Sequence, residues 1–313
     1  MEDEDNFVTA KRKPIVVVGS LNMDLLTQVR EIPALGQTVI GTDFKTGSGG
    51  KGANQAVAAA LLGYPTEMVG AVGEDAFGQE MIENLAKAGV CTKAVIRVAG
   101  PSGVAPILLA ANGENSIVVV PGANGKVDRA VVDAQSELIR SAGMVLCQLE
   151  LPIETVSYTM ALCKEAGVPV MLDPAPAAAL PGSVWGQAAW VTPNETEAAF
   201  YLGTDAKVED SAKLLLEKGV GGVVLKRGGD GAYVAVPDGR AEWVRPFKVE
   251  AVDTVGAGDC FNGAFAVGLL EGLDPWAAAK FASAAAAISV TRRGSQSSMP
   301  SRDEVDAFLE RNK

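Results

Sequence analysis

Residues 253 to 259 read Asp253-Thr-Val-Gly-Ala-Gly-Asp259 and run on through Cys-Phe-Asn-Gly-Ala-Phe into a helix-forming stretch. A Gly-Ala-Gly run at a helix start turns sharply and exposes successive backbone N–H groups that have no intrahelical partner. With the positive end of the helix dipole behind them, such amides form an anion hole. Asp259 falls in the first turn, so its carboxylate stands beside the same hole. A base next to a cradle for developing negative charge is what phosphoryl transfer to a hydroxyl requires. The plainer alternative is an Asp that caps the helix after a glycine turn.

Five further segments carry polar chemistry. Gly47-Ser-Gly49-Gly50-Lys51-Gly52-Ala-Asn54-Gln55 contains a nominal G-x-G-x-x-G. It does not follow an apolar strand by a short turn, as a dinucleotide fingerprint does, and Lys51 is followed by Gly52 where a P-loop needs Ser or Thr. What remains is a glycine loop bringing backbone, Lys51 and Asn54 close to a polar small molecule, or a flexible loop ending in a helix cap. In Gly19-Ser20-Leu21-Asn22-Met23-Asp24, the alternate spacing of Asn22 and Asp24 points both side chains the same way in an extended chain. They lie just past the first strand, where open α/β sheets bind ligands; a turn rich in Asn and Asp is the alternative. Gln148-Leu149-Glu150 ends another strand-like run, and Asn194-Glu195-Thr196-Glu197 opens a helix. Asn194 and Glu197 share a helix face, and a carboxylate there can hold Mg²⁺ through water or simply close a capping box. Gly228-Gly229-Asp230-Gly231 is a turn between two strand-like runs.

The elements that must position these residues alternate in type. Pro14 to Gly19, Glu67 to Val72, Met144 to Leu149, Val168 to Leu172 and Gly222 to Lys226 are short apolar runs that predict buried strands. Ala53 to Leu62, Phe77 to Ala88, Glu154 to Ala166 and Ser211 to Lys218 predict helices between them, and the chain from about Asp259 onward is helical. This alternation predicts an α/β fold: a doubly wound, mostly parallel sheet with helices on both faces. Two segments interrupt it. Gln37 to Thr46 alternates weakly, and Val104 to Val120 carries an Asn112-Gly113 turn between β-rich runs, a strong hairpin signal. They predict a small β lid or, failing that, an extra edge ribbon. No internal repeat and no long linker divides the chain.

Composition narrows the function classes. The chain has 313 residues, 48% hydrophobic and 21% charged, with a formal net charge of −11. An acidic chain without a long basic run is a poor nucleic-acid binder. Histidine is absent, which removes Ser-His-Asp and Cys-His catalysis, His-ligated zinc and phosphohistidine chemistry. Cys91, Cys147, Cys163 and Cys260 are sparse and contain no C-x-x-C, as in a protein with reduced thiols. The longest uncharged window, Pro174 to Asn194, holds four prolines and excludes a membrane helix. Residues 1 to 13 are polar, with Glu2 to Asp5 all acidic, and read as a mobile extension. That is the wrong chemistry for a targeting peptide, so the expected setting is intracellular: the cytoplasm, or an organelle if a transit peptide preceded this sequence.

Taken together and in this order, the segments resemble the PfkB (ribokinase-like) family of carbohydrate kinases, from about Pro14 to the C-terminus. The most specific pieces are Gly49-Gly50-Lys51-Gly52-Ala-Asn54-Gln55-Ala, Gly19-Ser-Leu-Asn22-Met-Asp24 and Asp253-Thr-Val-Gly-Ala-Gly-Asp259. The resemblance implies transfer of the ATP γ-phosphate to the 5-hydroxyl of D-ribose, or to another sugar or nucleoside within the family. It implies that Asn22, Asp24, Gly50, Lys51, Asn54 and Glu150 hold sugar hydroxyls and that Asp259 is the general base. It implies that the N–H groups of Gly256, Ala257 and Gly258 form the anion hole. ATP would meet Asn194 and the loop Lys226, Arg227, Gly228, Gly229, Asp230 and Gly231, with Gly258 at the phosphates and Ser283 lining the adenine pocket. Asn194 and Glu197 would act on Mg²⁺. A monovalent cation, usually K⁺, would sit behind the anion hole on Asp253, Val255, Ser289, Arg292, Gly294 and Ser298, several through carbonyls. The resemblance also implies that segments 22–47 and 103–121 form a lid inserted in one domain spanning 14–313, and that the lid makes a homodimer contact. Cys260, next to the base, either fills a small space or makes the site sensitive to thiol reagents.

Overall fold

A computed structural model describes residues 12–313, so the extension expected over 1–13 lies almost wholly outside the described residues. The strands are β1 (Ile15–Val18), β2 (Asn22–Val29), β3 (Asp43–Gly49), β4 (Thr66–Gly73), β5 (Cys91–Val98), β6 (Gly103–Ala110), β7 (Asn115–Ile117), β8 (Met144–Cys147), β9 (Val170–Leu172), β10 (Trp190–Val191), β11 (Val223–Lys226), β12 (Ala232–Ala235) and β13 (Ala241–Val244). The helices are α1 (Lys51–Leu61), α2 (Ala76–Lys87), α3 (Arg129–Ala134), α4 (Ser136–Ser141), α5 (Ile153–Ala166), α6 (Glu195–Leu202), α7 (Val208–Glu217), α8 (Ala257–Leu270), α9 (Pro275–Ser289) and α10 (Arg302–Arg311).

Nine strands form one sheet in the order β13-β12-β11-β10-β9-β8-β1-β4-β5. The pairs from β11 to β5 are parallel, and β12 and β13 add an antiparallel edge. The reason for a two-sided sheet is visible in β1. Its four residues are Ile-Val-Val-Val, and none is exposed. Ile15 and Val17 join a core built with α1, α2, α8, α9 and α10, whereas Val16 and Val18 join a second core built with α3 to α7. A strand that is apolar on both faces needs helices on both faces, and a parallel sheet supplies the crossovers that place them there. From β1 the chain winds outward to β4 and β5 on one side and later to β8 through β11 on the other. The order therefore reverses beside β1, the position where open sheets of this kind leave a crevice at the strands' carboxyl ends.

The two interrupting segments form a separate four-stranded sheet, β3-β2-β6-β7. The Asn112-Gly113 turn closes the β6–β7 hairpin: Ala110 N–H donates to Glu114 O at 2.8 Å and Glu114 N–H to Asn112 Oδ1 at 3.0 Å. The strand expected within Gln37 to Thr46 begins only at Asp43 and extends to Gly49, because its register is set by β2, with Asn22 opposite Gly49.

Candidate active site

Polar residues from several distant elements meet at the carboxyl ends of β1, β8, β9, β10 and β11. The C-terminus of β1 and the start of α1 approach so closely that a Cβ on Gly52 would lie 2.6 Å from Gly19 Cα. Only glycine permits that approach, and it brings the first turn of α1 over the sheet end. Lys51 and Asn54 thus stand on a helix, not on a flexible loop.

Glu150, just past β8, ties this turn to the small sheet. One of its oxygens accepts from Ser20 Oγ at 2.6 Å, from Lys51 N–H at 3.0 Å and from Asn22 Nδ2 at 3.3 Å. Asn22 is buried and held from behind by Asn124, whose Nδ2 donates to Asn22 Oδ1 at 2.8 Å. Asp24 follows two residues later on β2. Burial, with the charges of Glu150 and Asp259 nearby, pushes its carboxyl up to about 7. Asn22, Asp24, Gly50, Lys51, Asn54 and Glu150 are therefore brought together, and Asp259 with them.

Asp259 occupies the third position of α8, whose N-cap Gly256 has φ 76°. The side chain does not cap its own helix. Its two oxygens accept from Asn54 Nδ2 at 2.9 Å and from Gln55 Nε2 at 3.2 Å. Burial pushes its pKa up, against the pull of Lys51 and these two amides. Desolvation thus opposes the ionisation that a helix N-terminus favours. Lys51 is held above its ordinary value: burial disfavours the ammonium, but Asp259, Asp173, Glu150 and Glu197 together overcome it. Of the three amides at the helix start, that of Ala257 is engaged by Thr254 O at 3.2 Å. Those of Gly256 and Gly258 have no hydrogen-bond partner among the described residues. A side chain at Gly258 would put its Cβ 3.5 Å from Lys226 Nζ, so the ammonium borders this mouth.

The loops after β10 and β11 lie side by side, joined by a parallel bridge between Asn194 and Lys226. Asn194 and Glu197 do form the capping box of α6. Asn194 Oδ1 accepts from Glu197 N–H at 2.8 Å, and Glu197 accepts from Asn194 N–H at 2.8 Å and from Asn194 Nδ2 at 3.0 Å. Burial and then Asp173 push Glu197 up, with Lys226, the Asn194 amide and Lys51 opposing, so this carboxylate feels the same cluster. Arg227 is occupied by Glu195 at 2.7 Å and Asp230 at 3.2 Å, and Gly228, Gly229, Asp230 and Gly231 make the turn into β12. Ser283 lies half-buried on α9.

Behind α8, Asp253 joins the two loops expected to hold a cation. Its carboxylate accepts from Val255 N–H at 3.0 Å and from Gly294 N–H at 2.9 Å, and Val290 O accepts from Val252 N–H at 2.7 Å. Ser289 Oγ and Ser298 Oγ are spent on Ala286 O and Ser295 O, and Arg292 on Glu304. Among the described residues no group of three or more His, Cys, Asp or Glu could hold a metal ion. Cys260 is buried and its thiol is pushed up to about 12, which makes it a poor nucleophile and fits the space-filling alternative.

Several polar residues of the site were given no role from the sequence. Ser20 donates to Glu150 at 2.6 Å, Asn124 to Asn22 at 2.8 Å, and Gln148 Nε2 to Gln55 Oε1 at 2.8 Å. Asp173, which follows β9, is 2% exposed and pairs with Lys226 Nζ at 3.1 Å. Its signal was an Asp directly ending an apolar strand, at the same sheet edge as Glu150.

The model for "pfkB family carbohydrate kinase" matches residues 12–302. A ribokinase of Bacillus subtilis is 44% identical over 300 residues, with 94% of this chain and 99% of that protein covered. A deoxyribokinase of Salmonella typhimurium is 39% identical over 304 residues, with 95% and 99% covered. A structure of Arabidopsis thaliana ribokinase complexed with ribose and ATP matches with a TM-score of 0.90 at 36% identity, covering 95% of this chain and 99% of the other.

Proposed function

This chain belongs to the pfkB family of carbohydrate kinases, and we propose that it transfers the γ-phosphate of ATP to the 5-hydroxyl of D-ribose, giving ribose 5-phosphate and ADP. One observation carries the reading: Asp259, at the mouth of α8, hydrogen-bonds Asn54 of the sugar-facing set at 2.9 Å. Base, sugar contacts and free helix amides thereby share one small volume. Similarity to ribokinases over nearly the whole chain supports the same substrate pair.

In this reading Asn22, Asp24, Gly50, Lys51, Asn54 and Glu150 orient the sugar, with the buried, unpartnered Asn54 Oδ1 free to accept from a hydroxyl. Asp259 takes the proton of the 5-hydroxyl as that oxygen bonds to the γ-phosphorus and the bond to the β-phosphate oxygen breaks. The free amides of Gly256 and Gly258, with Lys226, meet the charge on the transferring group; one such donor is typically worth about 10²- to 10³-fold in rate. Asn194 and the loop from Lys226 to Gly231 bound the phosphates, and Ser283 the adenine. Mg²⁺ bound with ATP would supply positive charge against the phosphates. The residues fit it only indirectly, since Asn194 and Glu197 are bonded to each other and would reach the ion through water. A K⁺ ion would sit where residues 253–255 fold back on 289–298, tied through Asp253 to Gly294, and its charge there would steady the amides at the start of α8. An intracellular setting suits the four free cysteines, and no helix among the described residues is long and apolar enough to cross a membrane. The lid's exposed apolar edge supports a homodimer.

The test is a coupled assay of ADP release with ribose, 2-deoxyribose, fructose and adenosine, with and without K⁺, the product identified by mass and position of the phosphate. Ribose with kcat/KM well above the others supports the reading. The resemblance to a deoxyribokinase makes the 2-hydroxyl the informative contrast: buried polar partners left unpaired by a missing hydroxyl discriminate strongly. Equal kcat/KM for ribose and 2-deoxyribose overturns the assignment of the sugar contacts, and no ATP turnover with any sugar overturns the activity.

A further inference from the structure

Asp173 is the group in this cluster whose charge the mechanism above does not use. Its side chain is 3% exposed and sits with the Lys226 side chain, 14% exposed, in an ion pair of 3.1 Å. Its second oxygen accepts from Gln55 Nε2 at 3.0 Å, and the same Nε2 reaches Asp259 Oδ1 at 3.2 Å. Gln55 cannot rotate freely, because Gln148 Nε2 holds its Oε1 at 2.8 Å. A continuous chain therefore runs Lys226, Asp173, Gln55, Asp259, linking the cation and the base on either side of the anion hole.

Stability does not account for this arrangement. Removing two charges from water costs several kcal/mol per ion, and a buried pair often contributes no more than apolar residues of the same size. The pair is moreover built across a sheet end, from the residue after β9 to the last residue of β11, with β10 between them. Lys226 has a long, flexible stem, and a free ammonium would sample many positions. Paired to Asp173 it stays where a Cβ on Gly258 would be 3.5 Å away. Asp173 also places negative charge beside Asp259, which disfavours ionisation of the base and strengthens it as a proton acceptor.

We propose that Asp173 is a positioning residue for phosphoryl transfer: it fixes the Lys226 ammonium at the mouth of the anion hole and, through Gln55, orients the Asp259 carboxylate. The proposal rests on the kinase reading above. One buried carboxylate thus sets both partners of the reaction, the cation that meets the transferring phosphoryl group and the base that frees the hydroxyl.

The test uses Asp173→Asn, Lys226→Met and the double variant beside the parent enzyme. Asp173→Asn is expected to lower kcat about 10²-fold, the scale of one misplaced anion-hole donor, with the dissociation constant for ribose within about threefold of the parent. If Asp173 acts through Lys226, the double variant is little worse than the poorer single one. The acidic limb of kcat, read at saturating ribose so that Asp24 does not set it, reports ionisation of the base in the complex. Asp259 faces Lys51, Asp173, Asn54 and Gln55, and Asp24 lies near enough to feel its charge. Without the Asp173 charge its pKa falls, so the limb should move to lower pH in Asp173→Asn, which a merely structural role would not produce. Normal turnover of Asp173→Asn in an active parent overturns the proposal alone. So do losses that multiply in the double variant, or an unmoved acidic limb. A parent inactive on every sugar overturns the kinase reading and this proposal with it. Should Asp173→Asn fail to fold, the charge-balanced double variant shows the same displaced limb or refutes it.

Discussion

At the scale of single residues, Asp259 is buried and Asp24 partly so, and the surroundings of each raise its pKa for different reasons. Asp259 is surrounded by groups that hold a charge, Asn54, Gln55 and Lys51, yet burial still raises its pKa. Replacing it with Asn keeps the shape and removes the acceptor. Turnover of Asp259→Asn should fall at least about 10³-fold while calorimetry still detects ribose binding; near-normal turnover would refute the base. Asp24 has no cation among the causes of its shift, and its pKa is about 7. If its ionised form accepts from sugar hydroxyls, ribose binding expels a proton below pH 7. The dissociation constant should then weaken about tenfold from pH 8 to pH 6, because only about a tenth of the sites are competent at the lower pH. Asp24→Asn should bind more weakly throughout and show no such slope. The linkage has a stability counterpart with a definite sign. A carboxyl raised on folding contributes stability that is whole below the unfolded value of 3.8 and is lost as pH rises through about 7. The melting temperature of Asp24→Asn should therefore gain on the parent as pH rises from 5 to 8. Asp259, Asn54 and Asp24 were legible because they sit in glycine-rich or alternating polar motifs. Asp173 was not, because it stands in no motif and its partners Gln55 and Lys226 are 118 and 53 residues away.

At the scale of elements, the start of α8 is where backbone geometry becomes chemistry. Gly256 has φ 76°, a left-handed conformation that costs an ordinary residue about 1 kcal/mol or more. A Cβ there would also lie 3.1 Å from Ser295 Cα and Cβ. Ser295 in turn donates to Ser48 O at 3.1 Å, at the end of β3. One added methyl group thus pushes on the loop behind the start of α8 and, through Ser295, on the end of β3 together. Gly256→Ala should lower the melting temperature by a few degrees and kcat by more than it raises the KM for ribose; unchanged kcat would show that the amides of this turn do not meet the transferring group. The strands and helices themselves were largely readable, since β1, β4, β8 and α5 are apolar runs or periodic segments bounded by Gly and Pro. What the periodicity did not contain is register. Gln37 to Thr46 alternates only weakly, and its strand begins at Asp43 because pairing with β2, a tertiary contact, decides where it starts. The capping box of α6 was visible as Asn194 and Glu197, and only the folded chain brings Lys226 beside it.

At the scale of the whole molecule, the small sheet is incomplete as a soluble surface. β3 and β7 are its two edges. Beyond β7 the chain continues to pair with β6, with Val118 N–H donating to Pro106 O at 3.1 Å and Val120 N–H to Val104 O at 2.9 Å. Ile117, Val118, Val119 and Val120 form a run of four apolar residues that are all at least 43% exposed. On the opposite edge Phe44 is 60% exposed. Edge strands of soluble proteins are ordinarily short, charged or covered, and an apolar edge of this length marks an interaction surface. A second copy of the chain is the occupant that the family resemblance implies, and a twofold axis would present the same edge from both protomers. β2 begins with Asn22-Met23-Asp24, so packing between two small sheets would also stiffen the residues proposed to hold the sugar. Light scattering should then give twice the chain mass at micromolar concentration. Val118→Glu, which adds a charge at the edge without touching the site, should yield monomers with a raised KM for ribose and a kcat lowered less. A monomeric parent, or a Val118→Glu variant that remains dimeric, would show that some other surface is buried and that the lid works alone.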